Sequence, residues 1–349
     1  MNDFQKLRVG YVPLSEELEG PGDKRRFCHY ARKRGVRFEI ADPTRRYDVV
    51  VVSEAGDLSV WAEYEKGKVI FDFVDSYLAE PRTSPKALLR GLARYVTGKN
   101  RRLRLNHWTA LEEMCRRSDA VICSTEEQRL QLIRLCPNVH TILDVHTMYN
   151  GLKRDYKAGE VFNLVWEGMP HNVSFFRELG GILGEIAANR PIALHLITAL
   201  RYRQHMNRFG PRSMIDEVQG IFDPIYLYQW NEKTCPAILI SCDMALIPVP
   251  LENPFAAGKP ENKLLLLWRL GLPVVVSATP AYARTMSSAN LAMACSTPIE
   301  WKETLTRYIS DEHARQEAGS RGRAFVEANH DEQQLLARWD ALFESVLSR

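Results

Sequence analysis

Long apolar runs are missing from this 349-residue chain, and its longest uncharged stretches, such as 285–299, are too short and too polar to span a bilayer. The opening residues lack the basic, apolar and small-residue succession of a secretory leader, so none is expected. A strong charge of one sign is also absent: the net value of +3 is too small to imply a nucleic-acid partner by itself. The seven cysteines are odd in number and include no CxxC pair, which argues for a reducing compartment and against a disulfide scaffold or zinc site. No short-period repeat is present. What remains is the composition of a soluble globular protein, 45% apolar and 26% charged, with length enough for two domains that each bury a core. A cytoplasmic protein is expected.

The chain is organised around 260–277, PENKLLLLWRLGLPVVVS. The pattern predicts an amphipathic helix, a stop at Gly271, and a short valine strand suited to a parallel sheet covered on both faces. Upstream lie a strand at 243–249 and the loop PLENPFAAGKP, which empties into the helix start. Unpaired backbone N–H groups and the helix dipole make that start a place for a phosphate.

Strands are predicted at 7–13, 36–41, 47–53, 68–74, 119–123 and 139–143 in the first half. A helix over 23–34 capped by Asp23 lies between the first two. A second is capped by Ser124 or Thr125 with Glu127 or Gln128 behind it. After a polar linker at 149–160, strands are predicted at 161–166, 191–198, 225–230, 243–249, 272–277 and 291–295. A helix over 172–189 and one reaching Ile240 from an Asn231 cap separate some of these, and 298–349 reads as almost wholly helical. Strands alternating with helices imply an α/β protein with two Rossmann-like, doubly wound domains facing a cleft, and a helical tail. The expected boundaries are 1–152, 153–330 and a final helix over 331–349 that crosses back to the first domain.

One segment, 81–105, interrupts the rhythm. Between Glu80 and Glu112 there is no acidic residue but eight basic ones: Arg82, Lys86, Arg90, Arg94, Lys99, Arg101, Arg102 and Arg104. Lys86, Arg90 and Arg94 recur every four residues, opposite a stripe of Leu88, Leu89, Leu92, Tyr95 and Val96. One reading is a surface that rests on anionic lipid or grips an acidic acceptor, with Arg90, Arg94, Arg101 and Arg102 as its cations. The other is a solvated helix whose apolar face packs on its own domain.

Three passages resemble the GT-B nucleotide-sugar glycosyltransferases, especially the large family four of retaining enzymes. CDMALIPVPLE is similar to that family's strand before the donor loop. NKLLLLWRLGLPVVVS is similar to its helix–glycine–proline–valine segment, with Lys263 eight residues before the glycine. SDAVICSTEEQ is similar to the last βα unit of the family's first domain. The order of elements agrees over nearly the whole chain. The chain departs from the pattern at Leu266 and Gly258, where the family usually carries glutamates, and at WEGMPHN, where it often carries an Arg–Lys pair and His171 is the only candidate cation.

The resemblance implies retaining transfer of a sugar from a nucleotide-diphosphate donor, with the donor on the second domain. Such chemistry passes through an oxocarbenium-like state while charge builds on the leaving diphosphate. Cations, a helix start or a metal must offset that charge. No Asp-x-Asp occurs, so metal-independent transfer is expected, with no cofactor beyond the nucleotide-sugar substrate. Lys263, Glu252, Glu261, Asn262, Gly168 and His171 are the candidate donor-binding residues. Gly20, Gly22, Lys24 and Arg25 form a candidate phosphate or acceptor loop. Carboxylates at strand exits in the first half, Asp72 and Asp75 above all, are candidates to orient an acceptor hydroxyl or take its proton. Glu54 with Asp57, and Asp144 with His146, occupy two further exits. Trp230, Trp268, His29, His107 and His195 read as core. The basic insertion suggests a glycan, lipid-linked or otherwise anionic acceptor and peripheral contact with the inner face of a membrane. Two alternatives stand beside this reading: a catalytically silent GT-B-like partner subunit, and a nucleotide-sugar epimerase on the same fold.

Overall fold

A computed structural model describes residues 4–348 apart from Glu16, Glu19, 81–84 and 203–209, and without the side chains of Lys86 and Ala87. Arg82 of the basic insertion therefore lies outside the described residues. The described chain divides into two compact units. Unit 1 comprises Met1–His146, Pro254–Pro260 and Glu332–Arg349; unit 2 comprises Thr147–Asn253 and Glu261–Asp331. No described helix is long and apolar enough to cross a membrane.

Unit 1 is built on strands β1 (Val9–Val12), β2 (Phe38–Ile40), β3 (Val49–Ser53), β4 (Lys68–Asp72), β5 (Ala120–Cys123) and β6 (Val139–Thr141). All pair in parallel, in the order β2-β1-β3-β4-β5-β6. The central β3, VVVVS, is buried at every position, which is why it reads as a continuous apolar run rather than an alternating one. One face is covered by Trp61, Trp108, Leu111 and Met114. The other receives Phe27 and Tyr30, together with Trp339, Leu342 and Phe343 of the last helix, Glu332–Leu347.

Unit 2 contains β7 (Phe162–Glu167), β8 (Ile192–Thr198), the short antiparallel pair β9 (Arg201–Tyr202) and β10 (Arg212–Ser213), β11 (Ile225–Gln229), β12 (Met244–Ile247), β13 (Val274–Ser277) and β14 (Ala294–Cys295). Its main sheet is parallel, in the order β11-β8-β7-β12-β13-β14. Counted within the unit this is 3-2-1-4-5-6, the doubly wound order of dinucleotide-binding domains. The helix Asn262–Arg269 buries Leu264 to Trp268, and its neighbour Glu312–Asn329 approaches closely enough to lay Gly322 against the Trp268 ring.

Several local expectations need correction. The helix expected over 23–34 is two, Pro21–Lys24 and Phe27–Arg34, and Asp23 does not cap it. Its buried carboxylate is taken instead by the Tyr11 hydroxyl at 2.6 Å, the Leu14 and Ser15 amides at 2.8 and 2.9 Å, and the Ser15 hydroxyl at 2.6 Å. The segment 172–189 is a 3-10 stretch, Pro170–Arg177, and a separate helix, Gly180–Ala187. Asn231 closes a turn onto the Lys233 amide, and the helix it was expected to cap begins later, as Cys235–Ser241. Thr125 caps Glu126–Leu132 by accepting from the Gln128 amide, while the Gln128 side chain accepts from the Ser124 amide, a reciprocal arrangement of the expected kind.

The largest departure is the insertion helix, Pro85–Val96. Its apolar stripe does not pack on the domain. Leu88, Leu89, Leu92, Tyr95 and Val96 are 45–72% exposed, while Arg94 and Gly91 are buried. Arg94 is therefore not a surface cation: its guanidinium donates to the carbonyls of Ala55 at 3.0 Å and Gly56 at 2.6 Å and to the Asn100 side chain at 3.1 Å.

Candidate functional site

Ligands of open α/β sheets bind beyond the carboxyl ends of the strands, where the strand order reverses. In unit 2 that point lies between β7 and β12, and in unit 1 between β1 and β3.

Beyond β7 stand Glu167 and Gly168, and Lys263, in the first turn of Asn262–Arg269, reaches over to them. The Lys263 ammonium donates to the Glu167 carbonyl, lies 3.7 Å from the Glu167 carboxylate and 5.1 Å from the centre of the Trp166 ring. Gly168 is a glycine for want of room: a Cβ there would stand 2.5 Å from both the Lys263 Nζ and the Trp166 ring. The Gly168 amide is tied to Ile197 at 3.1 Å and its carbonyl accepts from Thr198 Oγ1 at 2.7 Å. A cation, a closely packed glycine backbone and a helix start thus converge where the strand order reverses.

The other donor-side candidates divide. Asn262 is beside Lys263 in the helix's first turn. Glu261 precedes it, buried, and accepts from Thr285 Oγ1 at 3.3 Å, with Arg284 4.0 Å away. Its carboxylate thus faces the helix Pro280–Ser288. Glu252 is exposed and lines a cavity of ≈ 100 Å³ beyond β12, β13 and β14, with Pro248, Ser277 and Thr297. His171 is exposed in the 3-10 stretch after Gly168. The 250–260 loop does not stay in one unit: Pro254–Pro260 belongs to unit 1, where Phe255 stacks 5.1 Å from Tyr77 and its carbonyl accepts from Ser76 Oγ at 2.9 Å. Leu266, standing where the resemblance calls for a glutamate, is 2% exposed among other leucines and cannot reach a ribose.

At the unit 1 switch point, β1 runs into the loop carrying Gly20 and Gly22, which Asp23 folds back on itself. Lys24 and Arg25 follow it, both partly buried. The Asp72 reading is overturned. At 1% exposure it is held by Arg26 through two bonds, Nε to Oδ2 at 2.8 Å and Nη2 to Oδ1 at 2.6 Å, and the same guanidinium donates to Asp144 and the Ile142 carbonyl at 3.0 Å. A carboxylate so paired holds the sheet together and has no face left for an acceptor. Asp57 is also structural, capping Leu58–Trp61 through the Ser59 amide.

Asp75 and Glu54 differ. They leave β4 and β3, side by side, and the Asp75 amide donates to Glu54 Oε2 at 2.9 Å. Burial, and then the charge of Asp75, push the Glu54 carboxyl well above the usual range. Glu54 was recognisable in the sequence only as one of several strand-exit acids; its pairing with Asp75 joins strands that are 21 residues apart.

Of the histidines and tryptophans read as core, His29, His107 and Trp268 are buried, while His195 and Trp230 are only partly so. His29 pairs with Glu332 at 2.9 Å, and His195 lies between Asn163 and Tyr228, each at 3.0 Å. Burial, with the charges of Arg90 and Arg94, pushes His107 down to about 3. Trp268 is fully buried and Trp230 partly so. Among the described residues no three His, Cys, Asp or Glu side chains converge as a metal-ligating group.

No family model and no curated protein matches this sequence. Solved structures do match its fold. Sucrose-phosphate synthase from Thermosynechococcus elongatus shares 12% identity and aligns over 97% of this chain and 81% of its own, with a TM-score of 0.59. A variant of TarM from S. aureus, solved with fondaparinux, α-GlcNAc-glycerol and UDP, shares 10% identity over 84% of this chain and 55% of its own, at a TM-score of 0.58. OtsA shares 11% over 85% of this chain and 72% of its own, at 0.51. The chain thus spans about half the length of TarM. Two parallel, doubly wound six-stranded sheets with helical C-terminal segments, shared with these structures, define the GT-B fold.

Proposed function

We propose that this protein is a glycosyltransferase that moves a sugar from a nucleotide-diphosphate donor to a glycan, lipid-linked or other anionic acceptor. It acts in the cytoplasm, in peripheral contact with a membrane, with retention of configuration and without a metal or cofactor. The observation that carries this reading is the meeting of Lys263, Gly168 and the Asn262 helix start at the switch point of a sheet in dinucleotide-binding order.

In this reading the diphosphate lies along the Gly168 backbone. The Lys263 ammonium and the helix start offset the charge that builds as the bond to the sugar breaks. Glu252, His171, Asn262 and Glu261 are the further candidates for contact with the donor. In unit 1, Asp75 orients the acceptor hydroxyl or takes its proton, beside Glu54, whose carboxyl is raised by burial. The Gly20–Gly22 loop, with Lys24 and Arg25, offers backbone and positive charge to the acceptor.

Thermal stabilisation by UDP, GDP, ADP, TDP and CMP tests the donor side. One diphosphate should raise the melting temperature by mass action, by roughly 2–3 kcal/mol of added stability at a hundredfold excess over Kd. Lys263→Ala should remove most of that shift. A second reading, a catalytically silent partner subunit, is favoured by Leu266, whose buried side chain leaves no ribose carboxylate at that position. No shift with any nucleotide would support it. Conversion of a nucleotide-sugar without an acceptor would instead identify an epimerase.

A further inference from the structure

The helix Pro85–Val96 departs from the usual pattern. Amphipathic helices on globular domains bury their apolar stripe and expose their charges; here the apolar stripe is exposed, as is Arg90, while Arg94 is buried. Leu88, Leu89, Leu92, Tyr95 and Val96, at i, i+1, i+4, i+7 and i+8, form one outward face. Leu103 and Leu105, in the segment after the helix, are exposed too, at 47% and 65%.

The orientation is imposed from behind. Gly91 lies so close to the backbone of Arg104 and Leu105 that a Cβ would collide with both carbonyls. Arg94 is buried on the carbonyls of Ala55 and Gly56, and the Arg90 guanidinium bonds the Tyr77 hydroxyl and lies 4.2 Å from the centre of its ring. Rotating the helix to bury its leucines would break these bonds and strand the Arg94 charge. Contiguous exposed apolar surface of this kind marks an interaction site.

We propose that this face docks on an anionic lipid bilayer. The occupant follows from charge. No acidic residue occurs from 81 to 111, and Lys99 and Arg101 are exposed just beyond the helix's C-terminus, whereas Arg102 and Arg104 pair with Glu63. Apolar side chains and a tyrosine flanked by cations suit the boundary between acyl chains and acidic headgroups. A second copy of the chain suits it less, because a two-fold contact would set these cations against their own counterparts. The inference rests on the membrane contact in the proposed function and names the element and the lipid charge responsible for it.

Co-sedimentation of the full chain tests it, using vesicles of pure phosphatidylcholine and vesicles with one-third phosphatidylglycerol. Binding is expected to the anionic vesicles, to fall severalfold between low and high salt, and to drop about tenfold in Leu89→Ser/Leu92→Ser, whose lost apolar burial is worth more than 1.4 kcal/mol. Lys99→Glu/Arg101→Glu should weaken binding to anionic vesicles only. These sites are exposed, so the melting temperature and the nucleotide-induced shift without vesicles should stay unchanged. A lost nucleotide shift with retained vesicle binding would count against the transferase reading alone. Absence of binding to anionic vesicles, or binding indifferent to both double variants, overturns the docking proposal. So does a dimer in solution that Leu89→Ser/Leu92→Ser dissolves.

Discussion

The two switch points carry opposite charge chemistry on the same kind of sheet. In unit 2 the strand exit presents an ammonium, Lys263, over a glycine backbone at the start of a helix. In unit 1 the exits of β3 and β4 present two acids, Glu54 and Asp75, joined by the Asp75 amide, with the Glu54 carboxyl raised by burial. A leaving diphosphate needs positive charge and an acceptor hydroxyl needs a base, so one reaction asks for both arrangements. Two units of like architecture thus differ in the charge of a few side chains beyond their strands.

That contrast can be broken most sharply at Asp75. Asp75→Asn should lower kcat by about 10²- to 10⁴-fold, the usual span for a general base, and leave nucleotide stabilisation intact. Loss of nucleotide binding in this variant would show that the units do not divide the work. Next in size is Arg26→Met, which leaves Asp72 and Asp144 without their buried cation and should cost about 3–5 kcal/mol of stability, read in thermal unfolding. Arg26→Met/Asp72→Leu should recover much of the loss; no recovery would mean that Arg26 does more than neutralise Asp72. Lys263→Ala should weaken the diphosphate by roughly 10- to 100-fold, the worth of one charged hydrogen bond, with a smaller effect on the nucleoside alone, measured by calorimetry.

The smallest effect concerns pH. The Glu54 carboxyl is raised in the folded protein, so above the ordinary carboxylate range the native state holds more protons than the unfolded chain. Stability then falls as pH rises, by at most about 1.4 kcal/mol per pH unit until Glu54 ionises. Glu54→Gln should therefore be relatively more stable at pH 8 than at pH 4.5. Equal effects of the substitution at both pH values would mean that Glu54 ionises normally and that the acid pair is two independent groups.

How much of this was legible beforehand differs between elements. The valine run of β3 and the leucine helix at 262–269 announced themselves, because burial on all sides demands apolar residues at every position. Lys263 could be singled out by the resemblance and by its place near the start of a helix that follows a loop. Asp72 and Asp75 were not separable: both stand at the end of IFDFVD, and only the Arg26 guanidinium, 46 residues away, assigns the first to structure. The insertion helix stood between two readings for a related reason. Its moment is plain in the sequence, but a moment states that two faces differ and not which one faces inward.

By itself, then, the sequence determined the two alternating α/β halves, the apolar segments that become parallel strands, a helix cap at Ser124 or Thr125 and the basic run without acids. All are consequences of local periodicity and side-chain chemistry within a few residues. Tertiary structure decided the strand orders that locate the switch points and the return of Glu332–Leu347 to the first sheet. It also decided the pairing of Glu54 with Asp75, the capture of Asp72 by Arg26, and the outward turn of Leu88–Val96. Each of these depends on which distant partner a group meets, and a carboxylate or a leucine carries no record of that partner in its neighbours along the chain.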